Sequence, residues 1–336
     1  MKPSAKLYGL DHALLNVELP PKTMWMNMGY WESTSEFPKA CQALLDQVLA
    51  AGLQKEKSQS VRLLDVGCGC GDQSLYLTSL RKSAYATINS SSTSSFQNIS
   101  TSYSADSIPR SRIQESDESS LLIDTYIGIT LEPAQASLAQ QRVESSQVAL
   151  KSTSKGPVPR IFCANASDPK SWSENLQDSI SVLAKSSQDP DTSNWLLALD
   201  TLYHFRPSRL PILHYTCNTL HASFMAFDLI LQDDVHWFQR LLLRLFCWVS
   251  SAPFGNMIPK DQYMQLLMDA GYDSSRIEIT DISSHVFAGL SNFLDRRVKE
   301  AEPFGFKMGK YRAARKVFGW WAKSGIVRGV VVVARS

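Results

Sequence analysis

Short apolar runs alternate with amphipathic stretches along most of the chain. The runs VRLLDVG at 61–67 and IDTYIGITL at 123–131 have the pattern of buried strands, whereas residues 133–150 have a helical pattern with proline in the first turn. Strands that alternate with helices form a parallel sheet with helices on both faces. The same alternation predicts further strands at 160–166, 194–202, 222–231, 276–283 and 325–336, and helices at 72–81, 206–221 and 260–271.

One long stretch interrupts this alternation. Residues 82–120 are dominated by serine and contain few aliphatic residues, so they bury too little apolar surface to offset the entropy cost of ordering. Because periodic structure resumes on both sides, we predict a single domain over 1–336 with a disordered insertion at 82–120. Two helical stretches rich in aromatic residues, 234–260 and 284–324, are predicted to form a cap or substrate-binding elements.

Composition narrows the class of protein and its partners. The formal net charge is +2, which argues against a nucleic-acid-binding protein, and no apolar run reaches the length of a membrane span. We therefore expect a cytoplasmic protein that does not bind nucleic acid; its oligomeric state is open. Arg240 and Arg244 lie on an otherwise apolar helical stretch, a pattern compatible with peripheral membrane contact through the cap.

The six cysteines are expected to be free thiols in a reducing compartment. Cys68 and Cys70 form a C-x-C pair, but no second pair of cysteines or histidines follows at the spacing of a zinc site. The sequence therefore predicts no metal site.

A glycine-rich turn follows the first predicted strand. In LLDVGCGCGD, Gly67, Gly69 and Gly71 come directly after the apolar run. Ligands of open α/β sheets bind at the carboxyl ends of strands, and glycine allows them to lie against the backbone. A dinucleotide-binding G-x-G-x-x-G would need glycine where Asp72 stands, and the G-K-[ST] of a P-loop is missing. The turn thus indicates a cofactor of another type.

The stretch LLDVGCGCG resembles motif I of the class I S-adenosylmethionine-dependent methyltransferases. The stretches at 26–32, 128–143, 163–172 and 197–205 resemble, in the same order, segments of small-molecule enzymes of the cyclopropane fatty acid synthase, coclaurine N-methyltransferase and tocopherol methyltransferase group. The resemblance covers about residues 25 to 230. It implies S-adenosylmethionine as cofactor and a Rossmann-like α/β fold: a mostly parallel sheet with an antiparallel last strand, helices on both faces and a helical cap.

The resemblance also implies cofactor contacts, with two departures from the common pattern. Thr130 stands where many of these enzymes have an acidic residue, with Glu132 two positions later, and Asn165 replaces the usual aspartate. The implied contacts are Asp65, Gly67, Gly69 and Gly71 for the methionine half, Thr130 and Gln135 for the ribose, Asn165 and Ala166 for the adenine, and Tyr30 for the carboxylate end.

The stretch DTLYH after the fourth predicted strand carries the candidate base. Asp200 and His204 are four residues apart, a spacing at which side chains meet on a helical turn, so Asp200 would orient His204 as a general base. The resemblance supports this assignment, because related N-methyltransferases have D-x-x-x-H there. In the alternative, His204 only caps the strand. Tyr203 is a second catalytic candidate, as a hydrogen-bond donor to the substrate or as a wall of its pocket.

The expected function is therefore methyl transfer to a nitrogen, oxygen or carbon atom of a small lipophilic or aromatic metabolite. Lipid cyclopropanation is one alternative, although DTLYH replaces the acid-rich E-M-x-E-H pattern expected for it. A non-catalytic regulator that binds S-adenosylmethionine is another.

Overall fold

The computed structural model describes residues 18, 20–53, 60–82, 121–150, 159–185, 192–233, 235–249 and 253–336. Of the insertion predicted at 82–120, all but residue 82 lies outside the described residues, so this prediction remains untested.

A single seven-stranded sheet forms the centre of the described chain. Its strand order is β3-β2-β1-β4-β5-β7-β6, and β7 runs antiparallel to both of its neighbours while the remaining strand pairs are parallel. The predicted fold, with its antiparallel last strand, is confirmed. The strands are β1 Ser60–Val66, β2 Ile123–Thr130, β3 Arg160–Cys163, β4 Thr192–Leu199, β5 Ser223–Leu231, β6 Ile277–Asp281 and β7 Val327–Ala334.

Helices cover both faces of this sheet, and none of those described is long and apolar enough to cross a membrane. Two of them, α1 and α4, lie where we predicted no element. The helices are α1 Phe37–Leu53, α2 Asp72–Ser79, α3 Pro133–Leu150, α4 Glu174–Lys185, α5 Leu210–Asn218, α6 Trp237–Val249, α7 Lys260–Asp269, α8 Phe287–Ala301 and α9 Gly309–Ser324.

The alternation of side chains along each strand divides the core into two layers. Leu63 packs into one hydrophobic cluster and its neighbour Leu64 into the other, because successive strand residues point to opposite faces. The first layer contains Leu63 together with Leu44 of α1, and the second layer contains Leu64 together with Ile180 of α4. This two-sided burial explains why the strands contain nearly continuous apolar runs.

The segment after β4 departs most from the prediction. The strand predicted at 194–202 ends at Leu199, because Asp200 adopts a left-handed φ of 59°. A 3-10 turn follows at Leu202–His204, and α5 begins only at Leu210 rather than at 206. Residues 200–209 therefore form a loop at the carboxyl edge of the sheet, beside the point where the strand order reverses between β1 and β4.

Candidate active site

A cavity of about 280 Å³ opens at the carboxyl ends of β1, β2 and β4. Four segments line it: residues 24–27, the glycine loop after β1, the end of β2 with the start of α3, and the loop after β4. Ligands of open α/β sheets bind at this edge. The predicted site residues that line the cavity are Gly67, Gly69, Thr130, Gln135, Asp200, Tyr203 and His204.

The three loop glycines all have positive φ, but they meet different surroundings. A Cβ atom on Gly67 would lie 2.7 Å from Oγ1 of Thr201, and one on Gly71 would lie 3.0 Å from Cα of Ala139. A Cβ atom on Gly69 would have no neighbour within 4 Å. Gly67 and Gly71 thus permit close packing of the loop, whereas Gly69 presents bare backbone to the cavity.

Asp65 supports the loop and does not line the cavity. Its fully buried carboxylate accepts hydrogen bonds from Nε2 of Gln73 at 2.6 Å and from the hydroxyl of Tyr126 at 2.5 Å. Burial raises the pKa of this carboxyl to about 6. Because Gln73 does line the cavity, Asp65 lies one residue behind the surface that was predicted to hold the cofactor.

The end of β2 brings two predicted residues together. The hydroxyl of Thr130 donates a hydrogen bond to Oε1 of Gln135 at 3.0 Å, and Nε2 of Gln135 lies 3.7 Å from Sδ of Met26. Glu132, which follows the strand, also lines the cavity and provides a carboxylate there. This corner therefore offers acceptors for ligand hydroxyl groups.

Five predicted cofactor residues do not line the cavity; Asp65 and Gly71, described above, are two of them. The amide oxygen of Asn165 accepts hydrogen bonds from the backbone N–H and the hydroxyl of Ser167, at 3.1 and 2.8 Å, and Ala166 is buried beside it. The hydroxyl of Tyr30 donates to Glu32 at 2.9 Å. The cofactor contacts implied for these residues stay predictions.

Asp200 is held by two partners at the edge of the cavity. Its carboxylate accepts a hydrogen bond from the hydroxyl of Tyr203 at 2.9 Å and one from the backbone N–H of Met28 at 2.8 Å. Burial raises the pKa of this carboxyl from 3.8 to about 7, although both hydrogen bonds act in the opposite direction. Asp200 thus changes its charge near neutral pH.

His204 lines the cavity but does not pair with Asp200 as predicted. Within the described residues, its ring contacts the ring of Tyr203, with 4.3 Å between the centroids, and no hydrogen bond joins it to Asp200. The reason is local: Asp200 has a left-handed φ of 59° and precedes the 3-10 turn at Leu202–His204, so residues 200–204 do not form the α-helical turn that would bring residues i and i+4 together. Burial lowers the pKa of His204, which favours the neutral imidazole.

Residues 24–27 form a wall of the cavity that the sequence indicated only in part. The backbone N–H of Met24 lies 3.0 and 3.1 Å from the two carboxylate oxygens of Asp72, and the N–H of Met28 reaches Asp200. Arg142 of α3 pairs with Asp72 at 2.6 Å. Carboxylates at the mouth of the cavity therefore hold both ends of this segment, and only the stretch 26–32 gave any signal of it.

A buried ion pair stands behind the loop after β4. Arg209 and Asp228 are fully buried and 2.7 Å apart, and the hydroxyl of Tyr263 donates to Asp228 at 2.8 Å. Arg209 also donates to the carbonyl of Asn256, whose side-chain amide donates to the carbonyl of Phe205 at 2.7 Å. These residues come from separate segments, so the sequence pattern gave no sign that they meet.

Cys68 and Cys70 are free thiols that line the cavity. Burial raises the pKa of both, so they remain protonated and act as small side chains in the loop. Within the described ranges, no group of three or more His, Cys, Asp or Glu side chains is placed to hold a metal ion.

Comparison with known proteins gives structural likeness without sequence likeness. No protein-family model matches the chain, and no curated protein matches its sequence. The mycolic acid cyclopropane synthase CmaA1, complexed with SAH and CTAB, is similar over 100% of this chain and 99% of that chain, with a TM-score of 0.58 and 13% identity. The cyclopropane synthase MmaA2 from Mycobacterium tuberculosis is similar over 92% of this chain and 90% of that chain, with a TM-score of 0.56 and 12% identity.

The 4+2 cyclase SpnF is similar as well, over 98% of this chain and 94% of that chain, with a TM-score of 0.53 and 14% identity. At such identities the likeness concerns the fold, and proteins named for different reactions share it. The chain has the fold of the class I S-adenosylmethionine-dependent methyltransferases.

Proposed function

We propose that this chain transfers the methyl group of S-adenosylmethionine to a small lipophilic or aromatic acceptor. One observation carries the proposal: the open backbone at Gly69 and the imidazole of His204 line the same cavity at the carboxyl edge of the sheet. A ligand seated on the glycine loop therefore lies in the same space as a group able to accept a proton.

The residues that line the cavity fit the cofactor. Gly69 leaves room at the loop that a Cβ atom would fill, which suits close approach of the methionine half. Thr130, Glu132 and Gln135 offer polar groups for ribose hydroxyls on the β2 side of the cavity. Asp65 would act through Gln73. Tyr30, Asn165 and Ala166 do not line the cavity, so the contacts that the resemblance implies for them would require movement toward the ligand.

The chemistry divides between cofactor and protein. The sulfonium of S-adenosylmethionine supplies an activated methyl group, so the protein has to align the acceptor and remove its proton. His204, neutral because burial lowers its pKa, accepts the proton that the acceptor atom loses as its bond to the methyl carbon forms. Asp200 and Tyr203 position this loop through their mutual hydrogen bond.

Cofactor binding is tested by isothermal titration of the full chain with S-adenosylmethionine. We expect the unmodified chain to bind and Gly69→Arg to weaken binding at least about tenfold, because arginine would occupy the loop surface. Gly309→Arg is the matched control, since Gly309 also has no neighbour within 4 Å of a Cβ atom but lies outside the cavity. Absence of binding, or equal binding by Gly69→Arg, contradicts the proposal.

The base is tested by turnover with a labelled methyl donor in a metabolite extract. We expect His204→Ala to keep its cofactor affinity and to lose about a hundredfold in turnover, with a changed pH profile. His214→Ala, on the exposed side of α5, is the control. Full turnover by His204→Ala would remove the assignment to His204 and leave the methyltransferase proposal in place.

Cyclopropanation is the second candidate, because CmaA1 and MmaA2 share the fold. A donor with a fully deuterated methyl group separates the two reactions. Methyl transfer keeps all of the methyl deuterium in the product, whereas closure of a cyclopropane ring loses one deuterium. A chain that binds the cofactor but labels no product would instead support a non-catalytic regulator. The expected cytoplasmic location stays a prediction.

A further inference from the structure

Helix α6, at Trp237–Val249, is apolar on two opposite sides. Leu243 and Cys247 pack into the first core layer, so this side holds the helix on the domain. A surface helix normally carries polar residues on the side away from the core. Here that side carries large apolar residues with high exposed fractions: Trp237 at 69%, Phe238 at 51%, Leu241 at 55% and Leu242 at 38%.

These four side chains form one continuous stripe. Trp237 and Leu241 are four residues apart, as are Phe238 and Leu242, so each pair lies on one side of the helix on adjacent turns. At 100° per residue the stripe is centred roughly opposite Leu243 and Cys247. Among the residues that the structure describes it belongs to neither core layer, so burial against them does not account for it.

Positive charge flanks the stripe on one side. Arg240 and Arg244 are exposed and four residues apart, and α6 contains no acidic residue. The guanidinium of Arg244 lies 5.0 Å from the ring centroid of Phe254, while Arg240 extends from the helix at an exposed position. An apolar stripe with basic residues along one edge is complementary to a surface that carries anionic groups and has an apolar interior beneath them.

We propose that α6 docks on an anionic lipid surface, with its axis in the plane of the headgroups. Trp237 and Leu241 enter the boundary of the acyl chains, and Arg240 contacts lipid phosphates, an arrangement that suits the preference of tryptophan for membrane interfaces. A second copy of the chain fits less well, because a symmetric contact through this stripe brings two helices of the same charge together.

A short chain of contacts connects this surface with the cavity. Arg244 of α6 lies over Phe254, and the nearby Asn256 donates its side-chain amide to the carbonyl of Phe205 in the loop after β4. Docking on lipid would bring the loop that carries His204 near a lipid surface. The docking proposal does not require methyl transfer, and its tests measure binding alone.

Sedimentation with vesicles tests the apolar stripe. The full chain is mixed, at low and at raised salt, with vesicles of phosphatidylcholine alone and of phosphatidylcholine with phosphatidylserine. We expect binding to the anionic vesicles that weakens with salt, and a loss of at least about tenfold for the double variant Trp237→Ser/Leu241→Ser. The matched control is Val182→Ser/Met268→Ser, which removes exposed apolar side chains from α4 and α7. Circular dichroism establishes that both variants are folded.

A second variant tests the charged edge. We expect Arg240→Gln to weaken binding to the anionic vesicles about fivefold and to leave binding to phosphatidylcholine unchanged, because one basic residue near such a surface contributes about 1 kcal/mol. Lys170→Gln, an exposed lysine beyond β3, is the control. No vesicle binding by the unmodified chain, or equal binding by Trp237→Ser/Leu241→Ser, overturns the proposal. Self-association that this double variant abolishes, without vesicle binding, would assign the stripe to a second copy.

Discussion

The loop after β1 and the loop after β4 face the same cavity but are built in different ways. The glycine loop is shaped by its own residues, because Gly67, Gly69 and Gly71 supply the positive φ angles of the turn. The loop after β4 is shaped by residues far along the chain: Met28 bonds to Asp200, and Asn256 bonds to the carbonyl of Phe205. A site can thus combine a part that is local in sequence with a part that depends on the whole fold.

The largest expected effect comes from the buried ion pair behind the second loop. Arg209→Met leaves Asp228 buried without its cation, so we expect a loss of about 4 kcal/mol in the free energy of unfolding. Arg209→Met/Asp228→Asn should recover more than half of the loss, because no buried charge remains. Urea denaturation measures both, and Arg328→Met, which breaks an exposed pair with Asp281, should cost less than about 1 kcal/mol. Equal losses for Arg209→Met and Arg328→Met would mean that the buried pair does not stabilise the loop.

The second effect is a pH dependence of stability that Asp200 contributes. The folded state raises the pKa of this carboxyl from 3.8 to about 7, so it binds the proton more tightly than the unfolded chain does. Its contribution to stability is therefore most favourable below about pH 4 and falls by roughly 4 kcal/mol as the pH rises through about 7.

Urea unfolding across this pH range, with Asp200→Asn beside the unmodified chain, measures that contribution. We expect a smaller fall for Asp200→Asn, because asparagine does not titrate. Asp65→Asn is the comparison from the first loop. Because the pKa of Asp65 is raised only to about 6, the stability that protonated Asp65 contributes is lost at a lower pH than that of Asp200. Identical profiles for Asp200→Asn and the unmodified chain would contradict the raised pKa of Asp200.

The third effect separates the glycines of the first loop. Gly67→Ala combines a left-handed φ with a contact to Thr201, so we expect a loss of about 2 kcal/mol in stability. Gly69→Ala adds only the strain of a left-handed φ, so we expect it to lower stability by about 1 kcal/mol. Its methyl group enters the cavity, however, and should lower the affinity for the cofactor. Thermal unfolding and titration with S-adenosylmethionine measure the two quantities. The opposite order of stability would show that the loop does not pack on Thr201.

The smallest effect concerns a residue at the margin of the site. Asn165 does not line the cavity, and Ser167 occupies its amide oxygen, so Asn165→Ala should change the dissociation constant of S-adenosylmethionine by less than about threefold. A loss above about tenfold would show instead that Asn165 turns toward the ligand, as the sequence resemblance implies.

The sheet was predictable because its strands are buried on both faces, so their apolar runs are clear in the sequence. The helix α4 was overlooked although Leu176, Ile180 and Leu183 repeat at helical spacing and are buried, because polar residues dominate the stretch between them. The glycine loop was also predictable, since positive φ and close approach favour one residue type. The hydrogen-bond partner of Asp200 was not predictable, because nothing in the pattern at 200–204 marks the left-handed φ of Asp200 or the 3-10 turn that follows it.

By itself the sequence determined the strands of the sheet and their order along the chain, the position of the glycine loop, and several of the residues that line the cavity. Those features depend on local conformational preference and on burial, which leave periodic patterns. Only the tertiary structure decided that Asp200 accepts a hydrogen bond from the backbone of Met28, and that Arg209 and Asp228 meet behind the loop. Hydrogen bonds and ion pairs between distant segments act over a few ångströms, so they form only after the whole fold has brought their partners together.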